Sequence, residues 1–376
     1  MSHYPTTDSN LPFADYIKQC QTMITNRRED LNTTPSMKET ILAANSPFEY
    51  YPNDVKKGEA RIKVGALLIH GLLDCPFTYR EIGAHLQKQG ILTRAMLTPG
   101  HGTRPSDLRD VTYHDWLQAV RYGIESLKKE VDFIFLIGYS TGAALSIYQA
   151  LQDSHITGLI LLAPAIKLRT PIDIAANVYH VTNQLGKDKH WIIQTKENDY
   201  AKYRSVTCNG VKQVSKLVDS IEEIVSNKPV QQPICMILSR QDETISPTEA
   251  IKFFTSMHNP SSRLLLYTAS DECYEDTRIT CLPSAYPDLN IANFSHIALQ
   301  FSASNPHYGQ QGDYVNASRP DPTQYIDGAY NPVEIKTYNL MEKYKLADHK
   351  RRTLTYNPDF DNMLANITAF IDDVIA

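Results

Sequence analysis

An α/β protein is what this sequence predicts, on three observations. Strand-like and helix-like patterns alternate from about residue 61 to the C-terminus, which is the order of strand–helix–strand units stacked around one sheet. The apolar run Phe133-Ile134-Phe135-Leu136-Ile137 leads directly into Gly138-Tyr139-Ser140-Thr141-Gly142. The residues that follow, Ala143-Ala144-Leu145-Ser146-Ile147-Tyr148, favour a helix. Strand, glycine-flanked serine and helix in immediate succession read as a nucleophile elbow, a sharp turn that lifts the serine above the sheet edge while the glycines let the two backbones approach.

The other elements follow from the same patterns. Residues 65–69 form a strand that ends at His70 and opens into Gly71-Leu72-Leu73-Asp74. Residues 92–97 form another, followed by Pro99-Gly100-His101-Gly102, whose composition suits a tight irregular turn. Residues 233–239 have a buried-strand pattern and run into the loop Arg240-Gln241-Asp242-Glu243-Thr244-Ile245. Ser246-Pro247 then opens a helix through Ala250, Phe253 and Phe254. Residues 263–268 are strand-like. Ahead of all of these, Tyr16, Ile17, Met23 and Ile24 stand at near-helical spacing, predicting a helix in an N-terminal extension of residues 1–45 that packs on a catalytic domain of residues 46–376. A membrane-surface role for that helix is disfavoured, because acidic residues interrupt its face and the basic cluster Arg27-Arg28 is short.

A serine hydroxyl is a weak nucleophile at neutral pH and needs a base, a group that orients the base, and donors for the developing oxyanion. In an elbow-bearing sheet of this kind the chain order is serine, acid, histidine. Ser140 is the candidate nucleophile. Asp242, in the loop after the 233–239 strand, is the candidate acid; adjacent Glu243 is the alternative, and a solvated loop carboxylate or helix cap is the plain structural one. His296, in Asn293-Phe294-Ser295-His296, is the candidate base, with His307 the alternative. His70 and His101 precede the serine and are read as structural, His70 holding its loop through ring hydrogen bonds. The amides of Leu72 and Thr141 are the candidate oxyanion hole.

Leu68-Ile69-His70-Gly71-Leu72, Thr98-Pro99-Gly100-His101-Gly102-Thr103, the serine elbow, Gln241-Asp242-Glu243-Thr244-Ile245 and Ser295-His296 together resemble the α/β-hydrolase superfamily. Within it the likeness is to carboxylesterase and monoacylglycerol-lipase-like serine hydrolases, over residues 45–300 and the last helix. The resemblance implies an eight-stranded, mostly parallel sheet flanked by helices, with a helical cap inserted at about 165–229. It also implies ester hydrolysis through an acyl-enzyme, with Ser140, Asp242 and His296 as the triad and no cofactor or metal. The sequence departs from the pattern in two long stretches, about 270–295 and 305–357, expected as loops. The second is rich in Gly, Pro, Asn, Asp and Tyr; an active-site rim and a surface decoration are equal readings of it. In the cap, Asp173-Ile174-Ala175-Ala176-Asn177-Val178 and residues 211–218 read as helical pieces, and Trp191-Ile192-Ile193 as an apolar patch that either lines an acyl pocket or packs the cap down.

Composition bounds the function. The chain has 376 residues, 42% of them hydrophobic, a net charge of −5 and a pI near 6.2. That charge gives no nucleic-acid footprint. Six cysteines are scattered without ligand spacing, which argues against a metal or a disulfide framework, although Cys273 and Cys281 could pair in an oxidising compartment. Met1-Ser2-His3-Tyr4-Pro5 lacks the basic and apolar regions of a signal peptide, and no run is long enough to span a bilayer, so the expected compartment is the cytoplasm. The expected partner is a small acyl ester or lipid substrate. A thioesterase or peptidase on the same triad is the first alternative, and a non-catalytic binding protein on a hydrolase scaffold the second.

Overall fold

The computed structural model describes residues 4–5, 8, 10–53, 55, 58, 61–168, 190–271, 274–314, 325–329 and 350–376. Two helices, α1 (Phe13–Arg27) and α2 (Pro35–Asn45), lead into β1 (Phe48–Tyr50). The chain then alternates through β2 (Ile62–Ile69), α3 (Arg80–Lys88), β3 (Leu92–Ala95), α4 (Tyr113–Lys128), β4 (Val131–Tyr139), α5 (Thr141–Gln152) and β5 (Ile156–Leu162). A short antiparallel pair, β6 (Trp191–Ile193) with β7 (Val206–Thr207), precedes α6 (Cys208–Asn227), β8 (Ile234–Ser239), α7 (Pro247–Ser256), β9 (Arg263–Thr268) and β10 (Ile279–Pro283). The parallel pair β11 (Tyr325–Gly328) and β12 (Lys350–Thr353) comes before the last helix, α8 (Phe360–Ile375).

Eight strands make one sheet in the order β1-β3-β2-β4-β5-β8-β9-β10. Only β1 runs antiparallel to its neighbour; the other pairs are parallel. Parallel strands connected by helices are covered on both faces, which is why β2, β4, β5 and β8 read as nearly unbroken apolar runs rather than as alternating ones. The period of two survives in which side each residue serves. Leu67, Ile69, Leu136, Leu161 and Met236 pack with α4, α5 and α6. Leu68, Phe135, Ile137, Ile160 and Ile237 pack with α3 and α8 on the other face. From β2 the chain steps outward to β3 and then returns to the far side for β4, so the crevice outside the carboxyl ends of β2 and β4 is a topological switch point, where open α/β sheets place their ligands.

Local chemistry sets several boundaries. Thr112 and Asp115 close a reciprocal capping box at the start of α4. Ser246 caps α7, its hydroxyl accepting from Glu249 N–H, and Pro247 takes the first helical position. In the N-terminal extension, α1 buries Phe13, Tyr16, Cys20 and Ile24 in the same apolar cluster as α4 and α5, and Tyr16 donates to the Leu97 carbonyl at 2.8 Å.

Two stretches expected as loops carry strands. β10 lies within 270–295 as a parallel edge strand on β9, with Thr280 and Cys281 exposed. β11 and β12 lie within 305–357. An edge strand with a solvated face need not be apolar, so no hydrophobic run marks β10. In the cap, residues 211–218 belong to α6, whose Val214, Leu217 and Val218 pack into the core. The piece at 173–178 lies outside the described residues, as does Cys273; Cys281 is exposed on β10.

Candidate active site

Ser140 stands between the end of β4 and the first residue of α5, with φ 53° and ψ −113°. This conformation is strained for a residue with a Cβ, at a cost of about 1–3 kcal/mol, and persists only where the surroundings impose it. Here Ser140 N–H donates to the Leu162 carbonyl of β5, while its own carbonyl accepts from Ala143, Ala144 and Ala165. The flanking glycines are steric requirements. A Cβ on Gly138 would lie 2.4 Å from the Gly142 carbonyl oxygen, and one on Gly142 would lie 1.9 Å from that of Ile69.

Asp242 follows β8 in a tight turn, its Oδ1 accepting from the Thr244 and Ile245 amides at 2.8 and 3.0 Å. Its Oδ2 lies 2.6 Å from His296 Nδ1, and the carboxylate is fully buried. His296 Nε2 lies 3.1 Å from Ser140 Oγ. With the Nδ1 proton donated to Asp242, Nε2 is left to accept from the serine hydroxyl. The histidine loop is pinned on both sides: Ser239 Oγ donates to the Phe294 carbonyl at 2.7 Å, and Ser295 Oγ to the Leu354 carbonyl at 2.5 Å. Glu243, the alternative acid, meets the backbone of the same residue, its Oε2 accepting from His296 N–H at 2.9 Å. Burial, and then the neighbouring Asp242 charge, pushes the Glu243 carboxyl up to about 7.

The Gly71–Asp74 segment forms a turn closed by Asp74 N–H on the Gly71 carbonyl at 3.3 Å, with Leu73 in the left-handed region at φ 67°. Thr141 opens α5, where the first amides of a helix have no partner within it. His70 and His101 hold the turn from behind. His70 Nδ1 faces the Gly71 carbonyl at 2.8 Å, and its Nε2 accepts from Thr98 N–H at 3.1 Å. His101 Nε2 accepts from Leu73 N–H at 3.1 Å. Burial depresses both rings, His70 to about 4 and His101, with His70 beside it, to about 3. They are therefore neutral at physiological pH, as rings that donate through one nitrogen and accept through the other must be.

His307 belongs to a different constellation. Its Nε2 lies 3.1 Å from Asp199 Oδ1, its Nδ1 contacts Asp313 Oδ1, and Tyr308 donates to Asp199 Oδ2 at 2.6 Å. Several residues that the sequence did not single out surround the serine and the turn. Lys202 Nζ lies 3.2 Å from Asp74 Oδ2 and 3.2 Å from Gln300 Oε1. Tyr203 N–H donates to the Leu73 carbonyl at 2.8 Å. The apolar patch read at 191–193 contributes Ile193, which packs with Val206 and Val211 against Leu72 and Leu73. No local pattern announces these contacts, because each joins segments that are distant in the chain. Among the described residues no group of three or more His, Cys, Asp or Glu side chains could hold a metal ion, and no helix is long and apolar enough to cross a membrane.

Sheet order, covering helices and a strained serine at the carboxyl end of a central strand define an α/β-hydrolase fold. The chain belongs to the α/β-hydrolase family described as serine aminopeptidase, S33, whose model matches residues 61–270, more than half of its length. It is similar to a thermostable monoacylglycerol lipase of Bacillus sp. (strain H-257), 32% identical over 105 residues. That match takes in 28% of this chain and 42% of the lipase, so the chain spans less than half the length of this curated relative. Among solved structures, one of the metagenome-derived lipolytic enzymes LipS and LipT aligns with a TM-score of 0.47 at 20% identity, over 59% of this chain and 86% of the other. Est1E from Butyrivibrio proteoclasticus with ferulic acid bound aligns at 0.43 and 20% identity, over 62% and 89%.

Proposed function

We propose that this protein is a serine hydrolase that cleaves carboxylic esters through an acyl-enzyme. The observation that carries the reading is the imidazole of His296, which bridges Asp242 Oδ2 at 2.6 Å and Ser140 Oγ at 3.1 Å. In the proposed mechanism Ser140 Oγ attacks the ester carbonyl carbon as its proton passes to His296 Nε2. Asp242, held by two backbone amides, keeps the ring in the accepting tautomer and stabilises the imidazolium. The Leu72 and Thr141 amides stabilise the tetrahedral oxyanion. His296 then gives its proton to the leaving alcohol oxygen as the C–O bond breaks, and water repeats the sequence on the acyl-serine. The short likeness to a monoacylglycerol lipase supports acyl esters of lipid type as the substrate class.

Amide hydrolysis is the second reading, favoured because the family description names an aminopeptidase. The experiment is fluorophosphonate labelling of wild type, Ser140→Ala and His296→Ala, followed by turnover of ester, thioester and amide substrates with a common acyl group. The expected outcome is labelling of wild type only, turnover highest on esters, and a loss on the order of 10⁵–10⁶ in kcat for Ser140→Ala. A folded Ser140→Ala protein with wild-type turnover would sink the assignment. Amides cleaved faster than esters would transfer it to a peptidase.

A further inference from the structure

Asp74 closes the turn that carries the Leu72 amide, and its carboxylate is almost wholly buried. One oxygen accepts from Cys75 N–H at 2.9 Å; the other accepts from Thr78 Oγ1 at 2.7 Å and faces Lys202 Nζ at 3.2 Å. Lys202 arrives from a segment more than 120 residues away in the chain. Its ammonium also donates to Gln300 Oε1 at 3.2 Å and stands 5.4 Å from the centre of the Tyr139 ring. Tyr139 precedes the serine, and its ring lies 5.1 Å from that of His296. The base of the lysine is fixed as well: Asp199 Oδ1 accepts from the Ala201 and Lys202 amides at 2.9 and 3.2 Å, and Asp199 is itself held by His307 and Tyr308. The next residue, Tyr203, donates through its amide to the Leu73 carbonyl.

We propose that Lys202 is a positioning residue for ester hydrolysis: its ion pair with Asp74 holds the Gly71–Asp74 turn, and with it the Leu72 amide, in the geometry that receives the oxyanion. This rests on the reading of Ser140 as the nucleophile. Leu73 sits in a backbone conformation that a branched residue does not favour, so outside contacts on Leu73 and Asp74 support the turn beside its own Asp74–Gly71 hydrogen bond. They include His101 on the Leu73 amide, Tyr203 on the Leu73 carbonyl and Lys202, with Thr78, on the Asp74 carboxylate. His101 comes from the neighbouring loop of the sheet, whereas Lys202 and Tyr203 come from residues 199–203. That segment therefore couples the cap side of the molecule to the chemistry without touching the reacting atoms.

The test compares wild type, Lys202→Met, Lys202→Arg, Asp74→Asn and the Asp74→Asn/Lys202→Met double variant, with active sites counted by fluorophosphonate titration. Expected for Lys202→Met is a fall in kcat per titrated site of about 10- to 100-fold, less than outright loss of a donor, with KM within about twofold. Affinity for a boronic acid that mimics the tetrahedral state should weaken by a similar factor. Lys202→Arg should recover part of the loss, and the double variant should lose no more than the worse single one. If Lys202→Met does not fold, Asp74→Asn cuts the same bridge from the turn side and is expected to show the same split. Wild-type kcat per site, with only melting temperature or titratable fraction reduced, overturns the proposal, as do a change confined to KM and additive losses in the double variant. A wild-type protein that neither labels nor hydrolyses esters overturns the Ser140 reading first and this one with it, so the two failures are distinguishable.

Discussion

The Gly-x-Ser-x-Gly string is informative because each position answers a separate steric demand. Ser140 needs a positive φ to leave β4 and enter α5 at once, and the two glycines stand where any Cβ would meet backbone that cannot move aside. Gly142→Ala is therefore expected to cost about 2–4 kcal/mol, read as a lower urea midpoint with unchanged m-value. Gly90→Ala is the control: it also has positive φ, at 78°, but nothing lies within 4 Å of the added Cβ, so only the backbone strain of about 1 kcal/mol applies. Equal midpoints for Gly142→Ala and wild type would contradict the close approach of β2 and α5. Asp242 and Glu243 illustrate the opposite limit. Adjacent carboxylates in one loop cannot be ranked from residue type, and the turn that aims Asp242 at Nδ1 while Glu243 meets the His296 amide is a matter of backbone path.

At the scale of elements, long apolar strands and capped helices were legible, whereas β10 and the β11–β12 pair were not: β10 is a half-exposed edge strand, and β11 buries Asp327 and Gly328 beside Ile326, so neither leaves an apolar run. The segment at 199–203 is likewise silent in sequence, though it joins Asp199 to the 307–314 stretch. His307 is buried there, which opposes its charge, but the Asp199 hydrogen bond and charge, aided by Asp313, outweigh burial and raise its pKa; burial likewise opposes the Asp199 charge, and the same pair outweighs it and lowers the Asp199 pKa. The sign follows. A raised histidine stabilises fully below its unfolded value, about 6.5, and loses that contribution as pH rises through the folded value; Asp199 contributes above about 4 and loses it on acidification. His307→Phe should therefore lower stability by about 3 kcal/mol at pH 6 and by less at pH 9, followed by thermal melting at both. A deficit that is larger at pH 9 would mean that the ring is held neutral.

On the scale of the whole molecule, α1 packs into the main body of the fold. Phe13, Tyr16 and Ile24 share a cluster with α4, α5 and the sheet, and Arg27 pairs with Asp107 at 2.7 Å beside the turn that carries His101. Ile24→Ala is expected to cost about 2–4 kcal/mol within a single unfolding transition monitored by both tryptophan fluorescence and far-ultraviolet dichroism. Two separated transitions, or an unchanged midpoint, would make α1 an independent appendage.

The sequence by itself determined the α/β class, the serine elbow, the strand ends from which the site is built and the order of the candidate residues along the chain. These rest on local demands: burial on both faces of a parallel strand, a glycine where backbones touch, a cap where a helix begins. Only the tertiary structure decided which carboxylate faces which nitrogen, which of two loop histidines reaches Ser140, and what holds the Leu72 turn. His296 and Ser140 are 156 residues apart in the chain, and their 3.1 Å contact depends on the summed geometry of the strands and loops between them. No residue-level preference encodes such a sum, which is set by the packing of the entire sheet.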